Sequence, residues 1–176
     1  ENLSFWVGSR ASVLARQGKK TAALKAYAEA EARSDAINSR SRLAQALVGR
    51  ADIYLRMNRV EEALLLLEEA MRIFHELGVK GSREYLKTLA HLAEANWRIA
   101  QERANVNFQD RETGKMIGSD MFSRRRLARK FAKEGRQLAE KLEARDFPET
   151  SELRRLLAII DEISEQIRHS GEAEGD

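Results

Sequence analysis

Apolar side chains recur along residues 1–100 at steps of three and four, the spacing of one helix face. Two stretches show the pattern and its interruption. Asn58–Phe74 reads as a leucine-rich helix whose apolar face narrows at Ala63 and Ala70, and Lys19–Ala32 carries Ala23 and Ala30 at the same separation. Further on, the helical period returns at Met121, Leu127, Phe131, Leu138 and Leu142, with small residues at Ala128, Ala132 and Gly135. A last helix is expected from Pro148 in its first turn, with Glu149 and Glu152 at the positive end. Its stripe is Leu153, Leu156, Leu157, Ile160, Ile163 and Ile167, and Glu162, Glu165 and Arg168 point away. Seven helices are predicted.

The first part of the chain repeats itself. A shift of 40 residues lays Val7 on Leu47, Ala11 on Ala51, Leu14 on Tyr54, Gly18 on Asn58, Ala23 on Ala63 and Tyr27 on Leu67. Glycine and asparagine tolerate best the left-handed conformation that ends a helix, so each unit predicts helix, tight turn, helix. A shift of 42 then lays Leu47 on Leu89, Ala51 on Ala93, Leu55 on Trp97 and Arg56 on Arg98. Beyond Ala100 the register fails, and the polar run Asn105–Asp120 reads as an insertion. The expected domain covers residues 1–169, with repeats at about 4–36, 40–78 and 83–145, a loop at 104–119, a capping helix at 148–169 and a flexible tail at 170–176.

Small residues at fixed places have a packing reason. Antiparallel helices approach closely only where the facing side chains are small. Ala11 with Ala23, and Ala51 with Ala63, predict such notches inside the hairpins, while Ala30 and Ala70 admit the next helix. Leucine at a notch would overpack it by about 1–3 kcal/mol.

These residues give the chain a resemblance to the tetratricopeptide repeat family. The family's small positions match Ala11, Ala23, Ala30, Ala51, Ala63, Ala70 and Ala93, and its aromatic positions match Tyr27 and Tyr54. Arg10 and Arg50 replace a preferred leucine, Asn96 replaces a tyrosine, and the proline after the second helix is missing. Spacings of 40 and 42 exceed the common length of about 34 and look like the family's long-helix variety. The resemblance implies an all-α, helical-hairpin repeat solenoid of about three helix pairs plus a C-terminal capping helix. It also implies a concave face lined by the first helix of each pair. Members that clamp acidic chaperone tails use a lysine and asparagines there; the matching positions are Gly8, Ser12, Gly49, Lys87 and His91, so chaperone tails are not the expected partner.

Composition narrows the picture. Charged residues at 34% with a single proline favour long helices over disorder. No apolar run reaches the roughly 20 residues a membrane-spanning helix needs. Without cysteine there is neither a disulfide nor a thiolate site, and a reducing, cytoplasmic setting is expected. The chain opens on Glu1 rather than methionine, which points to an excised domain or a processed chain. Charge is uneven: seven basic residues against one acidic over Phe122–Arg136, then nine acidic against three basic over Asp146–Asp176.

Two candidate surfaces follow. On the first helices, Arg16, Arg56 and Arg98 align, with Ser12, Asp52 and Glu94 one turn earlier and Ala15, Leu55 and Trp97 beside them. Stacked guanidinium groups can grip carboxylates or phosphates bidentately, and Trp97 would be an aromatic anchor. The simpler alternative pairs each arginine with the acid four residues before it. Gly8 and Gly49 are expected to leave the floor open. The second surface is the basic run Arg124, Arg125, Arg126, Arg129 and Lys130, which suits nucleic acid or an acidic membrane surface, although a lipid-binding helix would need more bulky apolar residues opposite the charges. Its alternative is a solvated helix facing the acidic last one, because Arg124, Arg125 and Arg129 take different azimuths.

Catalysis finds little support. His75, His91 and His169 are far apart, and Gln17–Thr21 and Thr113–Met116 are fragments of a phosphate loop without its glycines or strand. Neither metal nor cofactor is expected. The favoured function is a protein or peptide interaction module, as scaffold, adaptor or regulatory sensor, binding through Arg16, Asp52, Arg56, Glu94, Trp97 and Arg98. The alternatives are a nucleic-acid-associated regulatory domain using residues 123–141, and self-assembly.

Overall fold

Four residues with left-handed backbone, Gly18, Asn38, Asn58 and Gly78, punctuate the chain every twenty residues (φ 74°, 51°, 61° and 67°). Each ends a helix in the same way. The N–H of Lys19, Ser39, Arg59 and Val79 bonds the carbonyl five residues back, on Leu14, Ser34, Tyr54 and Phe74, at 2.8–3.0 Å. The N–H of the left-handed residue itself bonds the carbonyl three residues back. Two orphan carbonyls are thus satisfied at every turn. The repeat is finer than 40 residues: one helix and one turn make up its unit.

The computed structural model describes residues 2–109, 118–143 and 151–170, with side chains over 8–103, 122–142 and 154–170. Seven helices and no strand occur among the described residues: α1 (Asn2–Arg16), α2 (Lys20–Ala36), α3 (Arg40–Arg56), α4 (Val60–Glu76), α5 (Arg83–Gln109), α6 (Gly118–Glu143) and α7 (Ser151–His169). They fall into two compact units, residues 1–88 and 89–176. No helix among the described residues is long and apolar enough to cross a membrane.

In the first unit each helix packs on its neighbour, α1 on α2, α2 on α3 and α3 on α4, and α1 also meets α3. The alanines expected to form notches are buried. Ala11, Ala23, Ala51, Ala63 and Ala70 are wholly buried and Ala30 nearly so. Consecutive helices are also tied end to end by a recurring link. Lys20 Nζ, at the start of α2, donates to the Arg56 carbonyl at the end of α3 (3.2 Å). Arg40, at the start of α3, pairs with Glu76 at the end of α4 (2.9 Å). Ser82 begins α5, its Oγ accepting from the Tyr85 N–H (3.1 Å).

Gly49 is not an opening. A β-carbon there would collide with the ring of Tyr27, which reaches across from α2. The Tyr27 and Ser12 hydroxyls are hydrogen-bonded at 2.9 Å, so one side chain joins α1, α2 and α3. At Gly8, by contrast, no atom of the described residues beyond its own helix backbone and chain neighbours lies within 4 Å of the added carbon.

The second unit packs α6 on α7. The buried line of α6 is Ala128, Ala132, Gly135, Ala139 and Leu142, at steps of four and three. Leu127, expected in the stripe, is 36% exposed; the small residues face inward and the leucine sits at the margin. On α7, Leu156, Ile160, Ile163 and Ile167 are buried as expected.

Both ends of the expected loop at 104–119 are helical. Ala104 to Gln109 continue α5, and α6 starts at Gly118. Polarity alone does not stop a helix; that takes glycine, proline or a competing side chain, and none of the first two occurs before Gly114. Residues 110–117, Pro148, Glu149 and the tail from 171 onward lie outside the described residues.

Candidate functional site

The aligned arginines meet different neighbours. Arg56, the last residue of α3, is bound to Asp52 one turn earlier by two hydrogen bonds, Nε to Oδ1 (3.2 Å) and a terminal nitrogen to Oδ2 (2.8 Å). Asp52 is 6% exposed while the Arg56 side chain keeps 36% of its surface. Arg98 donates from one terminal nitrogen to Glu94, also one turn earlier (3.2 Å). Arg16 is different. The residue one turn before it is Ser12, which is engaged by Tyr27, and Arg16 stands exposed with no ion pair among the described residues.

Arg16, Asp52 and Arg56 belong to the first unit, and Glu94, Trp97 and Arg98 to the second. Trp97 is 5% exposed. Its indole N–H is donated to Gln166 of α7, and the Arg125 guanidinium lies 5.8 Å from the ring centre. The ring therefore joins three helices of the second unit instead of offering a free anchor. Its equivalent in the repeat, Leu55, is 3% exposed, and an apolar residue at that register was the signal for a core position.

Two departures from the family pattern are explained by polar links between helices. Arg50 reaches back from α3 to Glu31 on α2 (2.7 Å) and donates to the Tyr54 hydroxyl (3.2 Å). Burial pushes the Glu31 carboxyl up in spite of Arg50, and its other oxygen is buried without a hydrogen-bond partner. At Arg50 burial works the other way but loses to Tyr54 and Glu31, so the guanidinium is raised. Asn96 is 1% exposed; its amide donates to the Leu92 carbonyl (2.8 Å) and its Oδ1 accepts from Arg124 (3.1 Å).

Glu94 sits in a cluster of its own. Burial pushes its carboxyl up, but His91 (3.6 Å) and Arg98 outweigh that and hold it below the ordinary glutamate range.

The basic run on α6 divides. Arg124 and Arg125 are half-buried and lie against Asn96 and Trp97 of α5. Arg129 is half-buried, while Arg126 and Lys130 are exposed. Arg136, further along, pairs with Asp161 on α7, which is the arrangement expected of a basic helix beside an acidic one. Among the described residues no group of three or more histidine, cysteine, aspartate or glutamate side chains could hold a metal ion. No protein-family model and no curated protein sequence matches the chain.

Proposed function

We propose that this chain is a tetratricopeptide-like helical-hairpin solenoid that binds a protein or peptide, serving as a scaffold, adaptor or regulatory sensor and not as an enzyme. The observation that carries the reading is in the first unit. The first helices of two successive hairpins, α1 and α3, pack on each other and each ends on an exposed arginine, Arg16 and Arg56. A rigid face with cations at equivalent places suits an extended acidic segment, with charge setting its register. Rigidity supports the reading further. The alanine notches and repeated turns fix the helices before a ligand arrives, which lowers the ordering cost of binding.

The cations are not equal. Arg56 is partly neutralised by Asp52, whereas Arg16 brings a whole charge, so Arg16 contributes more to carboxylate binding. The experiment is selection from a random peptide library, followed by affinity measurement with Arg16→Glu, alone and combined with Arg56→Lys. The lysine keeps a charge beside Asp52 but removes the planar fork. Enrichment of a common acidic motif whose affinity falls at least tenfold in the double variant supports the reading. Failure to enrich any motif, or an unchanged affinity, overturns it.

A further inference from the structure

α6 carries a row of cations that no described residue neutralises. Arg126, Lys130 and Lys133 follow at steps of four and three residues, so they share one side of the helix over about 10 Å. All three are exposed, and none has an ion pair or hydrogen bond among the described residues. The other arginines of this helix behave differently, Arg124 and Arg125 turning onto α5 and Arg136 pairing with Asp161. On the first unit, some exposed arginines are met by carboxylates, Arg40 by Glu76 (2.9 Å) and Arg59 by Glu62 (2.7 Å), although Arg16 is not. From Phe122 to Lys133 there is no acidic residue at all.

An aromatic ring stands in the same row. Phe122, one turn before Arg126, is 58% exposed, the most exposed aromatic side chain described. A bare ring in line with three free cations matches the two needs of a single-stranded nucleic acid: charge for phosphates and a flat face for a base. A lipid surface fits less well. The apolar side of α6 (Ala128, Ala132, Ala139 and Leu142) is buried in the unit, and the exposed large apolar side chains described on the helix, Phe122 and Leu127, are too few to form an inserting face. A folded acidic protein would want the ring in a pocket, and Phe122 projects from a helix face.

We propose that this face of α6 binds single-stranded nucleic acid, with Arg126, Lys130 and Lys133 on successive phosphates and Phe122 stacked against a base. The site shares no residue with the peptide-binding face, so either can fail alone. With three phosphates neutralised, the logarithm of affinity falls against the logarithm of salt with a slope of about −2. Preference among base sequences is weak, since every base offers a stacking face.

The test is fluorescence anisotropy of the full chain with a labelled oligothymidylate of about twenty nucleotides, longer than one such site. Binding is expected at low salt with the stated slope. Substituting Arg126, Lys130 and Lys133 together by glutamine lowers affinity at least tenfold and flattens the slope. Each single substitution removes about 0.7 from it, which keeps the test readable if the triple variant loses helix content by circular dichroism. Phe122→Ala weakens binding about tenfold at unchanged slope, and Phe122→Trp restores it. The same charge loss on the first unit (Arg10→Gln, Lys25→Gln and Arg33→Gln) leaves binding in place. No binding at low salt overturns the proposal. So does equal loss in the first-unit control, or tighter binding to phosphatidylserine vesicles or polyglutamate than to the oligonucleotide.

Discussion

The ring of Tyr27 fills the space that a side chain at residue 49 would occupy, and this is why Gly49 is a glycine. Gly49→Ala gains up to about 1 kcal/mol of helix propensity but overpacks the joint by about 1–3 kcal/mol and strains the Tyr27–Ser12 hydrogen bond. Net destabilisation is expected by urea unfolding. In the Tyr27→Leu background the same substitution is expected to be neutral or stabilising, because the opposing ring is gone. Additive effects in the double variant would contradict the contact.

Asn38 adopts φ 51° at the end of α2, a conformation most residues avoid. Asn38→Ala is expected to cost about 1–2 kcal/mol. Asn38→Gly should leave stability unchanged or slightly raised, and thermal unfolding of the pair separates backbone strain from lost side-chain contacts.

The turns also show what the sequence made legible and what it did not. A 40-residue shift lays Gly18 on Asn58 and equally Asn38 on Gly78, so the sequence carried both pairs, while the 20-residue half-period that joins the pairs is passed over because that shift compares hairpin with hairpin. The alanine notches were legible because small residues at fixed spacing have few other uses. Trp97 and Arg125 were harder. A helix pattern shows that residues share a face but not which face is covered, and α6 buries its alanines where leucines were the expected guide. Arg50 and Asn96 were visible only as departures, since their partners Glu31 and Arg124 lie on other helices.

Two carboxylates give opposite dependence on pH. Glu94 is held below its ordinary range, so its contribution is present above the unfolded value and lost as pH falls through the folded one. Glu31 is raised, so its contribution is full below the unfolded value and lost as pH rises through the folded one. In urea titrations across the acid range, Glu94→Gln is expected to lessen the loss of stability on acidification. Glu31→Gln is expected to lessen the loss on going from acid towards neutral pH.

Apolar burial, rather than charge, holds α6 to α7. Arg136 and Asp161 keep 44% and 51% of their side-chain surfaces exposed, so Arg136→Gln is expected to cost less than about 1 kcal/mol. Ile160 is wholly buried, and Ile160→Ala is expected to cost about 2–5 kcal/mol. Denaturant midpoints of the two variants decide between the causes.

The repeat reading of the first unit rests on equivalent alanines doing the same packing work in successive helix pairs. Ala23 and Ala63 are both 0% exposed, whereas Ala22, next to the first, faces solvent. The direct measurement is the unfolding free energy of Ala23→Leu, Ala63→Leu and Ala22→Leu in urea. The expected result is a loss of about 1–3 kcal/mol at each of the first two and a change within about 0.5 kcal/mol at the third. Leucine tolerated at Ala23 or Ala63 as well as at Ala22 would contradict the nested-hairpin packing.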